Sequence, residues 1–519
     1  MLNITEFDLD DQAICQPYWI RRCTRKSTNE QLFVEKFSLL QHYTSEILRF
    51  LSTIIKLQKI KIENFINVVG FGIEGLDIYI FYENDDLSEV NYTNLNDNEK
   101  RKLLDDVANA LSVLNKYEIP HLAIKKQLIF KDKSNNYRIG FICPSPHDTI
   151  DPDDDINPLF DNHLILHDIF LYGLLSAELL YNNNRHDILE RIWNLKSPLT
   201  VQDNFIERCL NLSADQRPSF NEIAHLKNTY PDEIPYNPSE LFEIIKDIKP
   251  IAGSCYLTGY GTEKDEQKAK DTFMSSEDPI SLNDMAKLII ETDRDLALKY
   301  LLKSTEYNFS VALKNAGALF VQDQHIKEGI HLLIRSADLG FHDAYLILAD
   351  TFVRFNGNLA FKYISKAAKR GDTRALVNLG LYYEHAWGCK QDFRMMAGLW
   401  VLAAKIGSEQ ALNNIGVHIS NRETSMKLWS NLKDPVAFFN IGNILLKRGE
   451  ESREQGMMMM KSSAEAGYIP AMFNMAVLLK EENPEEADRW CTMASQAKAN
   501  ELVMEARMKE IASIAASSL

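Results

Sequence analysis

The stretch ALVNLG, residues 375–380, decides how the second half of the chain is read. A small residue is followed three positions later by Asn378 and two further on by another small residue, Gly380. The same hexapeptide pattern returns at Ala312-Leu-Lys-Asn315-Ala-Gly, Ala344-Tyr-Leu-Ile347-Leu-Ala, Ala411-Leu-Asn-Asn414-Ile-Gly, Ala437-Phe-Phe-Asn440-Ile-Gly and Ala471-Met-Phe-Asn474-Met-Ala, with spacings from 26 to 36 residues. Small residues at these positions let two antiparallel helices approach closely. Most copies lead into a second helical stretch that ends on a glycine (Gly340, Gly371, Gly407, Gly467), the residue that accepts the left-handed conformation of a helix stop. Each unit is therefore expected to be a helical hairpin, and several in phase are expected to form a stacked array.

This pattern resembles the Sel-one-like repeat, a relative of the tetratricopeptide repeat, over roughly residues 248–500. The strongest copies are AGSCYLTGYGTEKDEQKAKDTF (252–273) and ALVNLGLYYEHAWGCKQD (375–392), in which Gly259-Tyr-Gly261 and, less faithfully, Ala386-Trp-Gly388 stand at the family's glycine-rich turn. The resemblance implies an α-solenoid of about eight hairpins whose concave face binds other proteins. The run Met457–Met460 reads mainly as core, with a soft recognition patch as the alternative.

Composition narrows the partners. The 519 residues, 45% apolar and 25% charged, suit an ordinary globular protein of several domains. A net charge of −16 disfavours nucleic acid and anionic lipid. The seven cysteines stand singly, so neither a metal cluster nor a disulfide framework is expected. The acidic start MLNITEFDLDDQ is unlike a signal peptide, and no apolar run of about 18 residues occurs, so a cytoplasmic protein that does not cross a membrane is expected.

The first half has a different grammar, mixing short β-branched runs with helical segments, and NTYPDEIPYNPSELF reads as the connector between the halves. The expected organisation is a first domain over 14–228, a linker over 229–247, repeats over 248–500 and a helical tail over 501–519. A GxGxxG occurs at Gly70–Gly75, but LDIYIFYEN after it reads as a strand. A dinucleotide fold needs a helix there, so the glycines are read as a turn between strands.

VANALSVLNKYEIPHLAIKKQLIF, with Leu111, Leu114, Ile119, His121, Lys125 and Ile129, resembles the helix, strand and H-R-D-L-K-x-x-N loop of the protein kinases. LHDIFLYGLLSAELL is similar to that family's D-V-W-S-x-G helix through Asp168, Phe170 and Gly173, and DNFIERCLNLSADQRPSFNEI to its closing helices through Cys209 and Arg217–Phe220. QLFVEKF and TIIKLQKIKIENFINVVGF are similar to the strand that carries the phosphate-binding lysine, here Lys36, and to the helix and strand after it. The resemblance implies an α+β bilobal protein kinase-like fold followed by the all-α solenoid of helical hairpin repeats.

It also implies where the chemistry would be, and those places are vacant. The catalytic base aligns with Ala123, the loop metal ligand with Leu128, and the D-F-G aspartate with Gly140 or Phe141. The arginine of H-R-D is replaced by Leu122. The glutamate that should pair with Lys36 aligns with Thr53, and Glu46 can substitute only across a seven-residue insertion. Residues 1–69 contain no glycine, so no phosphate loop is present. Arg217 lacks an A-P-E partner, for which the acids of DPDDDIN (151–157) are the candidates. Lys36 and Lys125 are the residual candidates for a nucleotide contact, with a solvated or structural lysine as the stronger reading of each, and His121 is read as a packed loop residue. The reading is a pseudokinase scaffold that binds proteins, with no cofactor, no metal and no ATP. The alternative is an atypical kinase whose repeats recruit its substrate.

Overall fold

Strand pairing begins at Phe7. The computed structural model describes residues 1–15, 20–84, 86–143, 164–193, 203–211, 216–224, 230–341, 343–353, 356–430, 432 and 434–499. They fall into two compact units, Met1–Leu348 with Lys369–Gly371, and Ala349–Ala368 with Asp372–Leu519. The DPDDDIN run and the tail after residue 499 lie outside the described residues.

In the first unit, β1 (Phe7–Cys15), β2 (Ile20–Arg25), β3 (Glu30–Ser38), β4 (Val68–Glu74) and β5 (Asp77–Glu83) form an antiparallel sheet in the order β1-β2-β3-β5-β4. Helix α1 (Thr44–Gln58) lies between β3 and β4 in sequence. Its buried Ile47, Leu51, Ile54 and Ile55 recur at the spacing of one helix face, which gives the sheet its apolar cover. Of the glycine run, only Gly75 is at the turn, with φ +60°. Gly70 and Gly72 sit within β4, because the N-terminal segment crosses them: Leu2 N donates to Phe71 O at 2.7 Å, and a Cβ on Gly70 would stand 2.7 Å from Leu2 Cδ1.

A second sheet, β6 (Ser88–Glu89), β7 (Ile129–Lys131) and β8 (Tyr137–Ile139), follows, with α2 (Asp97–Lys116) inserted between β6 and β7. Asn96 caps α2, accepting from Asn98 N and Glu99 N at 3.0 Å. Helix α3 (Leu164–Leu180) is buried nearly all round, as its almost uninterrupted apolar sequence requires. Short helices α4 (Arg185–Trp193), α5 (Asn204–Cys209) and α6 (Phe220–Ile223) complete this layer. The connector carries a helix of its own, α7 (Pro238–Ile245), started by proline and holding Leu241 and Ile245 in the core.

Helical hairpins follow: α8 (Lys249–Thr258) with α9 (Glu266–Met274), α10 (Pro279–Ile289) with α11 (Arg294–Thr305), and α12 (Ser310–Gln322) with α13 (Ile326–Asp338). Next come α14 (Asp343–Phe352) with α15 (Gly357–Lys369) and α16 (Thr373–His385) with α17 (Phe393–Lys405). The remainder are α18 (Glu409–His418) with α19 (Arg422–Trp429), α20 (Pro435–Arg448) with α21 (Arg453–Glu465), and α22 (Ile469–Leu479) with a helical run over 484–499. The division between the units falls inside α14. Aspartates start many of these helices; Asp372 accepts from Ala375 N at 2.9 Å and Asp278 from Ser281 N at 2.9 Å. Gly340, Gly371, Gly407 and Gly467 all have φ between 85° and 92°, the left-handed stops expected of them.

The repeats of the first unit share a hydrophobic core with the strands and helices before them. One cluster of buried residues runs from Ile20 and Phe33 through Leu51 and Phe170 to Ile251, Ile280, Phe309 and Phe341.

Candidate functional site

The sequence points to the loop after His121 and the strands facing it. His121 is fully buried: Nδ1 accepts from Ala123 N at 3.2 Å, and its carbonyl accepts from Cys143 N at 3.0 Å. Asp168, on α3, accepts from His121 N at 2.6 Å and Leu122 N at 2.7 Å. These bonds fix Leu122 at φ +63°, a conformation unfavourable for a branched side chain. Burial raises the Asp168 carboxyl to about 7, against the two amide bonds, and lowers the His121 imidazole to about 3.

The vacant positions are filled by packing. Ala123 and Leu128 are buried in the main core cluster. Gly140 lies against the segment before β4, where Ile66 N donates to Ile139 O at 2.9 Å. A Cβ on Gly140 would meet Ile66 Cβ at 2.7 Å, so a carboxylate there would collide with a core side chain. Phe141 turns inward at φ +66° and is fully buried. Its ring lies 4.8 Å from Tyr82 and 5.8 Å from both Phe33 and Phe130. Phe33 and Phe130 stand 5.4 Å apart, so rings from both sheets fill the space between them.

The structure sets the facing of β3. Phe33 belongs to the cluster shared with α1, and Phe37 meets Phe50 of α1 edge-on at 5.2 Å; Leu32 and Val34 belong to the cluster on the other face. Strand alternation therefore turns Glu35 inward and Lys36 outward. Glu35 is buried and accepts from Tyr82 Oη at 2.9 Å, which together with burial holds the Tyr82 phenol well above its ordinary range. Lys36 is exposed, pairs with Asp77 at 2.7 Å and lies over the Tyr79 ring. Lys125 is buried within the loop, so the two residual lysines do not share a surface. Thr53 is satisfied inside α1, donating to Arg49 O at 3.1 Å, and Glu46 caps the same helix by accepting from Tyr43 N at 3.2 Å. Arg217 donates to Leu166 O at 2.6 Å and Asn211 O at 2.8 Å. Lys36 is singled out only by its place in QLFVEKF, and the four consecutive buried residues Leu32–Glu35 hide which face of the strand each residue takes.

The second candidate surface is the first helix of each hairpin. In the first unit it is occupied by the chain itself. Tyr43 Oη donates to Asp343, Thr44 Oγ1 to Asp284 Oδ2 at 3.1 Å, and Ser310 Oγ to Leu40 O at 3.2 Å, while the Tyr43 ring meets Phe341 edge-on at 5.3 Å. No sequence signal marked this contact, because its partners are some 240 to 300 residues apart. In the second unit the methionine run divides by helix face. Met460 and Met457 enter one core cluster, Met459 the preceding one, and Met458 alone is exposed.

Among the described residues no group of three or more His, Cys, Asp or Glu side chains is arranged to hold a metal ion, and no helix is long and apolar enough to cross a membrane. The family described as Sel1 repeat matches residues 252–271, 344–372 and 373–404, so Sel1 repeats are present in the C-terminal part. Among solved structures, the chain is similar to a protective antigen of uropathogenic Escherichia coli strains that displays an SLR fold, at 16% identity and a TM-score of 0.39. That match covers 49% of this chain and spans 62% of the antigen's length. A Sel1 repeat protein from Oxalobacter formigenes matches at 20% identity over 47% of this chain and 96% of that one, with a TM-score of 0.33. None of these matches identifies the N-terminal region as a protein kinase.

Proposed function

We propose that this chain is a non-catalytic scaffold in which a kinase-like domain, emptied of phosphotransfer groups, is joined to Sel1 repeats that bind other proteins. The observation that carries this reading is the packing of Phe33, Tyr82, Phe130 and Phe141 between the two sheets, beside an inward-facing Glu35. A nucleotide needs an open cleft and cationic or metal partners for its phosphates. Four packed rings supply the opposite, and a buried carboxylate facing inward repels phosphate. The sheet order, the helix after β3 and the Asp168 bonds support the kinase-like part of the reading. Repeat arrays of this kind present extended protein-binding surfaces, which supports the scaffold part.

Thermal melting of the full chain with millimolar ATP, with and without magnesium, tests it. A ligand that binds the native state at 100 times its Kd stabilises by about 2.7 kcal/mol. No change in Tm is expected. A magnesium-dependent rise accompanied by phosphate release would replace the scaffold with an enzyme.

A further inference from the structure

Helices α20 and α22 are joined by an amide pair: Asn474 Nδ2 donates to Asn443 Oδ1 at 3.3 Å. Both side chains are partly exposed. The bond leaves one donor, Asn443 Nδ2, and one acceptor, Asn474 Oδ1, without a further partner among the described residues. A donor beside an acceptor matches the C=O and N–H that one residue of an extended segment presents on the same side.

The surroundings narrow the ligand. On α22, Phe473 and Val477 lie one turn apart and are 37% and 73% exposed, a strong exposure for apolar side chains on a stacked array. Lys480 follows Val477 by three residues, and Lys447 follows Asn443 by four, so each stripe ends in a cation. Both lysines are exposed and make no ion pair among the described residues.

In the first unit an amide pair also joins α10 and α12, at a different register, with Asn283 standing where α20 has Phe439, and a segment of the chain itself lies on these helices. Asn315 Nδ2 donates to Asn283 Oδ1 at 2.8 Å, but there Asn283 Nδ2 is used internally, donating to Asp284 Oδ1 at 3.0 Å. Lys314 stands at the position that Phe473 holds in its own repeat, and it lies over the Tyr43 ring. The chain segment Leu40–Thr44 thus rests on this face through a backbone carbonyl, a ring and a hydroxyl. In the first unit, then, this face seats a segment of polypeptide.

We propose that α20 and α22 bind an extended segment of a partner protein whose apolar side chains cover Phe473 and Val477. The C=O of one of its residues accepts from Asn443 Nδ2 while the N–H of that same residue donates to Asn474 Oδ1, and an acidic side chain just beyond meets Lys447 and Lys480. This rests on the protein-binding reading of the repeats and specifies the ligand's chemistry.

The full chain is tested against an array of short synthetic peptides in which an apolar block is followed by acidic, amide or basic residues, with the retained peptides titrated by fluorescence anisotropy. Apolar–acidic peptides are expected to be retained. Val477→Asp is expected to weaken them about tenfold or more, as loss of a central apolar contact does, and Asn443→Ala to weaken them less. The double variant Lys447→Glu/Lys480→Glu shifts preference to apolar–basic peptides, a reversal that a merely structural role would not produce. Val477, Lys447 and Lys480 are exposed, so these variants keep the parental Tm. Retention of no peptide, equal retention of all three classes, or indifference to the charge reversal would each overturn the proposal. Cross-linked partners that survive both Val477→Asp and the charge reversal would remove this surface while the scaffold reading stood.

Discussion

Asp168 fixes the geometry of the loop at His121 and Leu122. Its carboxylate holds two buried amides and a strained Leu122, so Asp168→Ala leaves both amides unpaired. A loss of about 3 kcal/mol is expected. Asp168→Asn, which keeps one acceptor oxygen, should lose less; equal losses in urea titrations of the two variants would argue against this role. The same neighbourhood sets a pH dependence. Burial lowers both His121 and His167 to about 3, so each contributes stability that is present above its unfolded value near 6.5 and is lost as pH falls toward 3. Asp168, raised to about 7, acts in the opposite sense: its contribution is lost as pH rises from about 4 to 7. Two protons against one make the combined contribution of these three groups rise from pH 4.5 to 6.5. His167→Asn removes one of the two and should flatten that rise; an unchanged slope would refute the assignment. That Ala123 and Leu128 bring no polar group to this loop was legible in the sequence because it depends only on residue type. The inward Glu35 was not, because it depends on strand facing within a run buried on both sides.

At the scale of the helical hairpin, close approach is achieved by glycine against a large partner. A Cβ on Gly380 would fall inside the indole of Trp400, whose Nε1 donates to Val377 O at 3.0 Å, and Gly416 stands in the same relation to Trp429. Gly340 is constrained differently, since nothing lies within 4 Å of its missing Cβ and only its φ of +85° excludes other residues. Gly340→Ala should therefore cost about 1 kcal/mol, the left-handed penalty alone. Gly380→Ala must displace a buried tryptophan and should cost about 3 kcal/mol. Denaturant midpoints that rank the two the other way would show that packing does not set the hairpin spacing. The pattern of small residues was readable because it repeats in phase. The use of Met457, Met459 and Met460 was not, since consecutive residues on a helix face different neighbours and only the stacked structure says which core each one enters.

For the molecule as a whole, the sequence suggests a boundary at the connector, because proline and turn residues are visible there. Buried contacts in the first unit are shared across it instead: Ile54, Ile245, Ile280, Phe309 and Phe341 all lie in one cluster. Contacts of such long sequence separation leave no local trace, which is why this part of the fold could not be read in advance. The consequence is measurable by amide hydrogen exchange on the full chain. Ile54 is fully buried in α1, and Ile54→Ala should remove about 2–5 kcal/mol through lost apolar contact and a residual cavity. Because opening of a cooperative unit sets exchange throughout it, amides of α10 and α12 should exchange faster together with those of β3 and β5. Met475 lies in the cluster formed with Met460, Ala464 and Trp490, so Met475→Ala should accelerate α20, α21 and α22 and leave β3 and β5 at their original rates. If Ile54→Ala instead confines its effect to residues before the connector, the shared core does not act as one cooperative unit, and the first repeats fold independently of the strands packed against them.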